Sequence, residues 1–276
     1  MAVAAVALLV AFGVEVDHPL AKLQDARPAA AGPLQPVTPA TSIPRDPGGG
    51  DASGTLPPSD PSPVTAAVPG VSHIIAKGPA TSANLALTFD DGDCEQCVAG
   101  IVDGVERTGV HVTFCPNGAY GPATWDKYAD RIRALIAKNQ VAICNHTWDH
   151  KDLTKVSDQQ IRTELTRNEQ WIEQTFGVSA FPVFRPPYGA HNRRVDRVAA
   201  DLGFTQVLMW SGTLGDSIIH PPDFILSQMQ MYAKPGMVIL AHGNHPATAS
   251  VFDQLVGIAH QSGLQLLTVP ELLKPP

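Results

Sequence analysis

No apolar run in this chain reaches the roughly 18 to 20 residues that cross a bilayer as a helix. Charge is also scarce and tilts negative: charged residues are 16% and the formal net charge is −7. No basic surface is implied that could release phosphate counterions, which argues against nucleic acid as a partner. There is no G-x-S-x-G elbow and no lysine-bearing phosphate loop, so serine-hydrolase and P-loop chemistry are disfavoured. Aromatics are sparse at 6%, and four Cys in 276 residues do not make a dense disulfide scaffold. What is abundant is apolar material, at 44%, together with 25 Pro and 23 Gly. That balance suits one domain with a sizeable core and an extended tail.

The tail is legible by composition. Residues 1–16 form an apolar N-terminal segment, about as long as a signal-peptide core, without the Lys or Arg that usually precedes one. It is read as a remnant signal or anchor, against the plainer account of a miscalled start or a frayed apolar tail. Residues 17–80 are rich in Pro, Gly, Ala and Ser, with Gly48-Gly49-Gly50 at their centre. Such a stretch buries too little apolar surface to offset its ordering entropy, and a disordered spacer is expected. An enzyme held off a membrane, or working in a cell wall, fits this layout. A secreted or envelope-associated location follows as an expectation.

Residues 81–276 alternate short apolar runs with helical patterns. The runs are Leu85–Phe89, His111–Cys115, Val141–Cys144, Phe181–Phe184, Phe204–Trp210, Met237–Ala241 and Leu264–Val269. Ser157 with Gln160 three residues on opens a helix, Ile161, Leu165, Ile172 and Phe176 mark its inner face, and Gly177 ends it. A second helix carries Tyr128, Ile132, Leu135 and Ile136, and a third carries Val195, Val198 and Leu202. Alternation of this kind implies parallel pairing with right-handed crossovers. The fold expected is α/β, a distorted or incomplete (β/α) barrel of about seven parallel strands, with an open doubly wound sheet as the alternative.

Polar residues then stand where such folds build active sites, at the carboxyl ends of strands. Asp90-Asp91-Gly92 closes the first run, His146 follows the third, Arg185 the fourth and His242 the sixth. His146 and His150 are four apart; if a helix begins there they share one side, the spacing for two imidazoles on one metal. Adjacent Asp90 and Asp91 must diverge, so one can face a metal while the other faces the reacting water. Taken singly, each feature has a plain reading as a turn or a satisfied histidine. Cys94 and Cys97 have CxxC spacing, read as a local disulfide, a pair of inert thiols, a redox pair or half a zinc site. Cys115 and Cys144 end two runs, either as a bridge between neighbouring strands or as buried thiols.

Together, Thr88-Phe89-Asp90-Asp91-Gly92, His146-Thr147-Trp148-Asp149-His150, Arg185-Pro186-Pro187-Tyr188-Gly189 and Leu240-Ala241-His242 resemble four of the five ordered motifs of the polysaccharide deacetylases, the NodB-like carbohydrate esterase family 4. The resemblance runs from about Leu85 to the C-terminus and implies a distorted (β/α) barrel. It implies that Asp91, His146 and His150 hold a divalent metal, commonly zinc, with cobalt or another transition metal as alternatives. By the same resemblance Asp90 is the general base, His242 the general acid, and Arg185 the partner of Asp90. The backbone N–H of Tyr188 would face the developing oxyanion and Leu240 would line an acetyl pocket, with Pro186 and Trp210 completing the substrate-binding set. The implied reaction is removal of N-acetyl groups from peptidoglycan or chitin-like glycans.

The fourth family motif, close to Asp-x-x-Asp-Trp, is altered. Thr213 stands near the place of its first Asp and Ser217 near that of its Trp, leaving Asp216 as the carboxylate to orient His242. A lost aromatic wall puts the substrate in question. An O-acetyl esterase acting on acetylated xylan, and a catalytically weakened glycan-binding module, are therefore the competing readings. His245, close behind His242, is a secondary candidate for the acid.

Overall fold

The computed structural model describes residues 71–274. The apolar segment 1–16 and the Pro-rich chain up to Gly70 lie outside the described residues. Strand β2 (Asn84–Asp91) is the axis of the fold, and from Leu85 to Phe89 every residue is fully buried. A run apolar on both faces marks a strand covered on both sides, as parallel strands are. It is flanked by β3 (Val112–Pro116) and β8 (Val238–His242), both parallel to it, and β4 (Val141–Ile143) follows beyond β3.

A second parallel group holds β1 (His73–Ile75), β5 (Val183–Phe184) and β6 (Gln206–Leu208), in the order β1-β6-β5. The chain just past β4 meets β5 through a bridge between Asn145 and Phe184. On the other side β6 leads within a few residues to β7 (Gly212–Thr213), which pairs with β8. The circuit β2-β3-β4-β5-β6-β7-β8 is thus a distorted barrel of parallel strands, stepped between β6 and β7. The last apolar run contributes only β9 (Gln265–Leu266), paired to the start of β2.

The barrel's coat follows the expected helices. Helix α1 (Glu95–Thr108) leads from β2 to β3, α2 (Ala129–Ala137) precedes β4, and α3 (Asp158–Phe176) and α4 (Arg193–Asp201) flank β5. Ser157 caps α3 by accepting from the Gln160 backbone N–H, and Gly177 ends it at φ 73°. Helices α5 (Pro222–Tyr232), α6 (Pro246–Ser250), α7 (Phe252–Gln261) and α8 (Val269–Leu272) complete the outer layer. Among the described residues no helix is long and apolar enough to cross a membrane.

Two expectations need correction. The boundary at 81 is too late, because His73–Ile75 already pairs with Gln206–Leu208. Three residues are too short for a periodic signal, so only pairing with β6 reveals this strand. No helix begins at His146 either: Thr147 and His150 take positive φ, 69° and 60°, which breaks any helical turn. All four cysteines are paired, Cys94 with Cys97 and Cys115 with Cys144. The first bridge lies at the start of α1, the second joins β3 to the chain leaving β4.

Candidate metal and hydrolytic site

The register of β2 against β8 places Asp90 directly beside His242 and Phe89 beside Ala241. Alternation then sends Asp91 elsewhere. Asp91 sits at φ 63° and Gly92 at φ 88°, a left-handed pair that ends the strand abruptly. Asp is among the few non-glycine residues that tolerate this region, whereas residue 92 tolerates nothing else. A Cβ on Gly92 would lie 2.4 Å from the Trp125 indole. That indole in turn donates from Nε1 to the Asp91 carbonyl at 2.8 Å, fixing the turn.

Asp90 faces Arg185. The guanidinium is completely buried and donates from Nη1 to Asp90 Oδ1 at 2.5 Å and to Thr88 Oγ1 at 2.9 Å, and from Nε to the Leu208 carbonyl at 3.3 Å. A buried pair of this kind is costly to break from one side, by about 3–5 kcal/mol, because the survivor is left uncompensated. Arg185 therefore holds one carboxylate oxygen of Asp90 and leaves Oδ2 turned toward His146, 3.6 Å away.

His146 Nδ1 lies 2.8 Å from the Arg185 carbonyl, an acceptor, so Nδ1 carries a proton and Nε2 is the nitrogen turned toward Asp91. That Nε2 and His150 Nε2 each stand 3.3 Å from Asp91 Oδ1. One ligand atom from each of the three side chains lies within 4.8 Å of the others. Asp91 Oδ1 is buried and has no hydrogen-bond partner. One carboxylate and two imidazoles converging on one point, with such an oxygen among them, fit a divalent transition metal with positions left open.

Electrostatics agree with the geometry. Burial alone would raise the Asp91 pKa, but the neighbouring His146, His150 and His242 hold it well below the carboxylate range. Burial and the neighbouring His146 push His150 down. His146 is pushed up: burial opposes its charge, and Asp90 and Asp91 outweigh burial.

The loop bearing the histidines is braced by amides that sequence reading missed. Asn117 Nδ2 donates to the carbonyls of His146 and Thr147, at 2.5 and 2.9 Å. Asn145 Oδ1 accepts from Thr147 N–H at 2.9 Å and from Asn168 Nδ2 at 3.1 Å. No local pattern announces these partners, because they meet only when β3, β4 and α3 pack.

His242 closes the other side. Its Nδ1 is 2.9 Å from Asp216 Oδ1, and its backbone N–H donates to Asp216 Oδ2 at 3.0 Å. Thr248, also unanticipated, donates to the same Oδ2 at 2.6 Å. Burial would depress the imidazole, yet the Asp216 bond and the charges of Asp216, Asp90 and Asp91 raise its pKa to about 9. Thr213 stays in its own turn, accepting from Gly215 N–H at 3.0 Å. Asp216 has taken the contact with His242.

A cleft of about 520 Å³ brings together Asp90, Asp91, His146, His150 and His242 with Pro186, Tyr188, Trp210 and Leu240. Arg185 and Asp216 sit behind it, each gripping a residue that faces it. Tyr188, at φ 61°, is 70% exposed, and its ring lies 4.5 Å from that of His150. Tyr120, Thr213, Ser217 and Asn244 also line the wall. His245 is not among the lining residues.

Known proteins share this architecture. Residues 77–207 match the family model described as polysaccharide deacetylase. The solved structure of a T48 deacetylase with substrate is 32% identical, with a TM-score of 0.62, covering 70% of this chain and 92% of that one. The chain belongs to the polysaccharide deacetylase family. Among curated relatives of this deacetylase-family chain, the peptidoglycan-N-acetylglucosamine deacetylase of Listeria monocytogenes is 29% identical over 193 residues, 70% of this chain and 39% of that protein. The peptidoglycan-N-acetylmuramic acid deacetylase of Bacillus subtilis is 29% identical over 191 residues, 68% of this chain and 38% of its length. The chain thus spans about two fifths of these two relatives.

Proposed function

We propose that this domain is a metal-dependent hydrolase that removes N-acetyl groups from amino sugars of a cell-wall glycan, peptidoglycan first. The observation that carries the reading is the single cleft shared by the Asp91–His146–His150 cluster, the Asp90–Arg185 pair and the His242–Asp216 pair. The donor set suits zinc, with cobalt as an alternative. When bound, such an ion acidifies water and polarises the scissile carbonyl, the two things an amide most needs.

The chain's own groups do the rest. Asp90, with one oxygen fixed by Arg185, takes a proton from the attacking water. His242 stays protonated through neutral pH and delivers its proton to the departing amine, which leaves poorly as an anion; general acid catalysis of this kind contributes roughly 10²–10⁴-fold. Asp216 holds that imidazole in place. The Pro186–Tyr188 backbone turns at the cleft's edge, where a backbone donor would stabilise the oxyanion, worth about 3–4 kcal/mol elsewhere. Leu240 lines the wall that would receive the acetyl methyl, and the Tyr188 and Trp210 rings would flank a sugar.

The relatives' peptidoglycan substrates support the choice of glycan. Two disulfides support an oxidising compartment, and hence a secreted or envelope-associated protein. Attachment to membrane or wall through residues 1–16 remains part of this proposal.

The test is acetate release from N-acetylglucosamine oligomers, peptidoglycan and acetylated xylan, after chelation and again with zinc or cobalt restored. Metal-restored release from the N-acetylated glycans is expected. Release from xylan alone would replace the amidase with an esterase. No release by protein shown to hold its metal would leave a glycan-binding module.

A further inference from the structure

Asn244 lies two residues beyond His242, in the turn that carries β8 into α6, and it is in contact with the metal-binding carboxylate. Its Nδ2 donates to Asp91 Oδ2 at 2.7 Å. Its Oδ1 accepts from the backbone N–H groups of Gly92 and Asp93, at 3.0 and 3.3 Å. The amide can be oriented only one way. Reversed, it would set N–H against N–H and oxygen against carboxylate. A primary amide is the group able to donate to a carboxylate while accepting from two backbone donors. The approach is close: Gly243 N–H donates to the Asp90 carbonyl at 2.9 Å, and a Cβ on Gly243 would stand 3.0 Å from Gly92 Cα.

We infer that Asn244 is a positioning residue for the metal, acting through Asp91. This rests on the metal-dependent reading above. The side chain engages Oδ2 and so leaves Oδ1 as the oxygen facing His146 and His150. At the same time it holds the amides of the left-handed turn from which the carboxylate projects. An unbraced Asp91 is free to rotate away or to swing its second oxygen inward. Hydrogen-bond partners of metal ligands typically contribute about 10–100-fold to metal affinity. Asn244 also joins the end of β8, which carries His242, to the end of β2, which carries Asp90 and Asp91.

The experiment is a zinc titration of the chelated full chain, in competition with a chromogenic chelator, for wild type, Asn244→Ala and Asn244→Asp. Unfolding temperatures of the metal-free proteins are measured beside it. Asn244→Ala is expected to weaken zinc by about 10–100-fold while the metal-free protein keeps an unfolding temperature near that of wild type. Asn244→Asp keeps an acceptor for the Gly92 and Asp93 amides and so holds the turn, but it cannot donate to Asp91. The added charge attracts zinc, so weaker binding in this variant isolates the lost donor. Affinity within twofold of wild type in folded Asn244→Ala overturns the inference, as does unchanged or tighter binding in Asn244→Asp if the alanine variant does not fold. Absence of stoichiometric zinc in the wild type would sink the metal reading instead.

Discussion

The two ends of the barrel each hold a cavity, and the larger one is not the candidate site. At the N-terminal ends of β4, β5 and β6 lies a space of about 660 Å³ walled by Val141, Ile143, Val178, Pro182 and Val183, with Lys274 its one charged group. The cleft at the opposite end is smaller, about 520 Å³, yet carboxylates and imidazoles from separate strands converge on it. The backbones differ in the same sense. Of the described non-glycine residues at positive φ, Asp91, His150 and Tyr188 line the cleft, Thr147 lies in its histidine loop, and Asn139 stands apart. Strained conformations persist where surrounding contacts over-determine them, at about 1–3 kcal/mol each. Convergent polar groups on a strained, braced backbone distinguish the end with the candidate site; volume does not.

The largest effect expected from testing this contrast is at Asp90. Asp90→Asn removes the proposed base while leaving the three proposed metal ligands and nearly the same shape. The rate of acetate release should fall by roughly 10²–10⁴-fold, with zinc stoichiometry near wild type. Substantial retained activity would take Asp90 out of the mechanism. Lost zinc would show that its main work is electrostatic support of His146.

Asp216→Asn should cost less, on the order of 10–100-fold, because the acid remains and only its support is weakened. The pH profile carries the sharper information. With His242 as the proposed acid, activity is expected below its pKa and should be lost as pH rises through about 9. The Asp216 bond and charge help to raise that value. Their removal should therefore shift the alkaline limb to lower pH. An unmoved alkaline limb in the variant would separate Asp216 from the acid's titration.

Which residues meet in the cleft was more legible in the sequence than how the cleft is built. Asp90, Asp91, His146, Arg185 and His242 could be gathered because each follows an apolar run, and parallel folds bring such positions to one face. All seven runs contain a paired strand, and Ser157 and Gly177 bound α3 as their chemistry requires. The i, i+4 spacing of His146 and His150 does accompany rings that lie close together, but not through the helix it implied. A loop with two left-handed residues brings the rings to 5.0 Å, held by Asn117 and Asn145 rather than by a helix. Left-handed Asp, Thr, His and Tyr leave no compositional trace as glycine does. Asn117, Asn168, Asn244 and Thr248 act across long sequence separations, so their partners could not be read locally. The short strands β1 and β7 exist only by pairing with β6 and β8.

A covalent brace belongs to the candidate-site end as well. Cys115 and Cys144 leave β3 and β4 just before Asn117 and His146, closing 29 residues of chain. By the loop-entropy account such a bridge contributes roughly 3–4 kcal/mol. Cys115→Ala with Cys144→Ala should lower the unfolding temperature by roughly 10 °C. Zinc affinity should also fall if the bridge helps hold the histidine loop. A drop in stability with unchanged zinc affinity would leave the asparagine network as the sufficient support.

The smallest effect is expected at the apolar end, and it tests whether the two ends are mechanically separate. Phe181 borders the larger cavity, with its ring centroid 4.2 Å from that of Phe204 and 42% of its surface exposed. Phe181→Ala removes that ring contact, at a cost of about 1 kcal/mol. Phe181 is nevertheless only four residues from Arg185, along the strand that delivers the guanidinium to Asp90. Phe184, fully buried against Phe204, lies between them and is untouched by the substitution. If that packing and the Asn145–Phe184 bridge hold β5 in register, kcat/KM and zinc affinity should stay within twofold of wild type while stability drops slightly. A tenfold loss of kcat at unchanged zinc affinity would mean that the strand slides as a unit. Arg185 would then lose its grip on Asp90, and the apolar end would be part of the catalytic architecture after all.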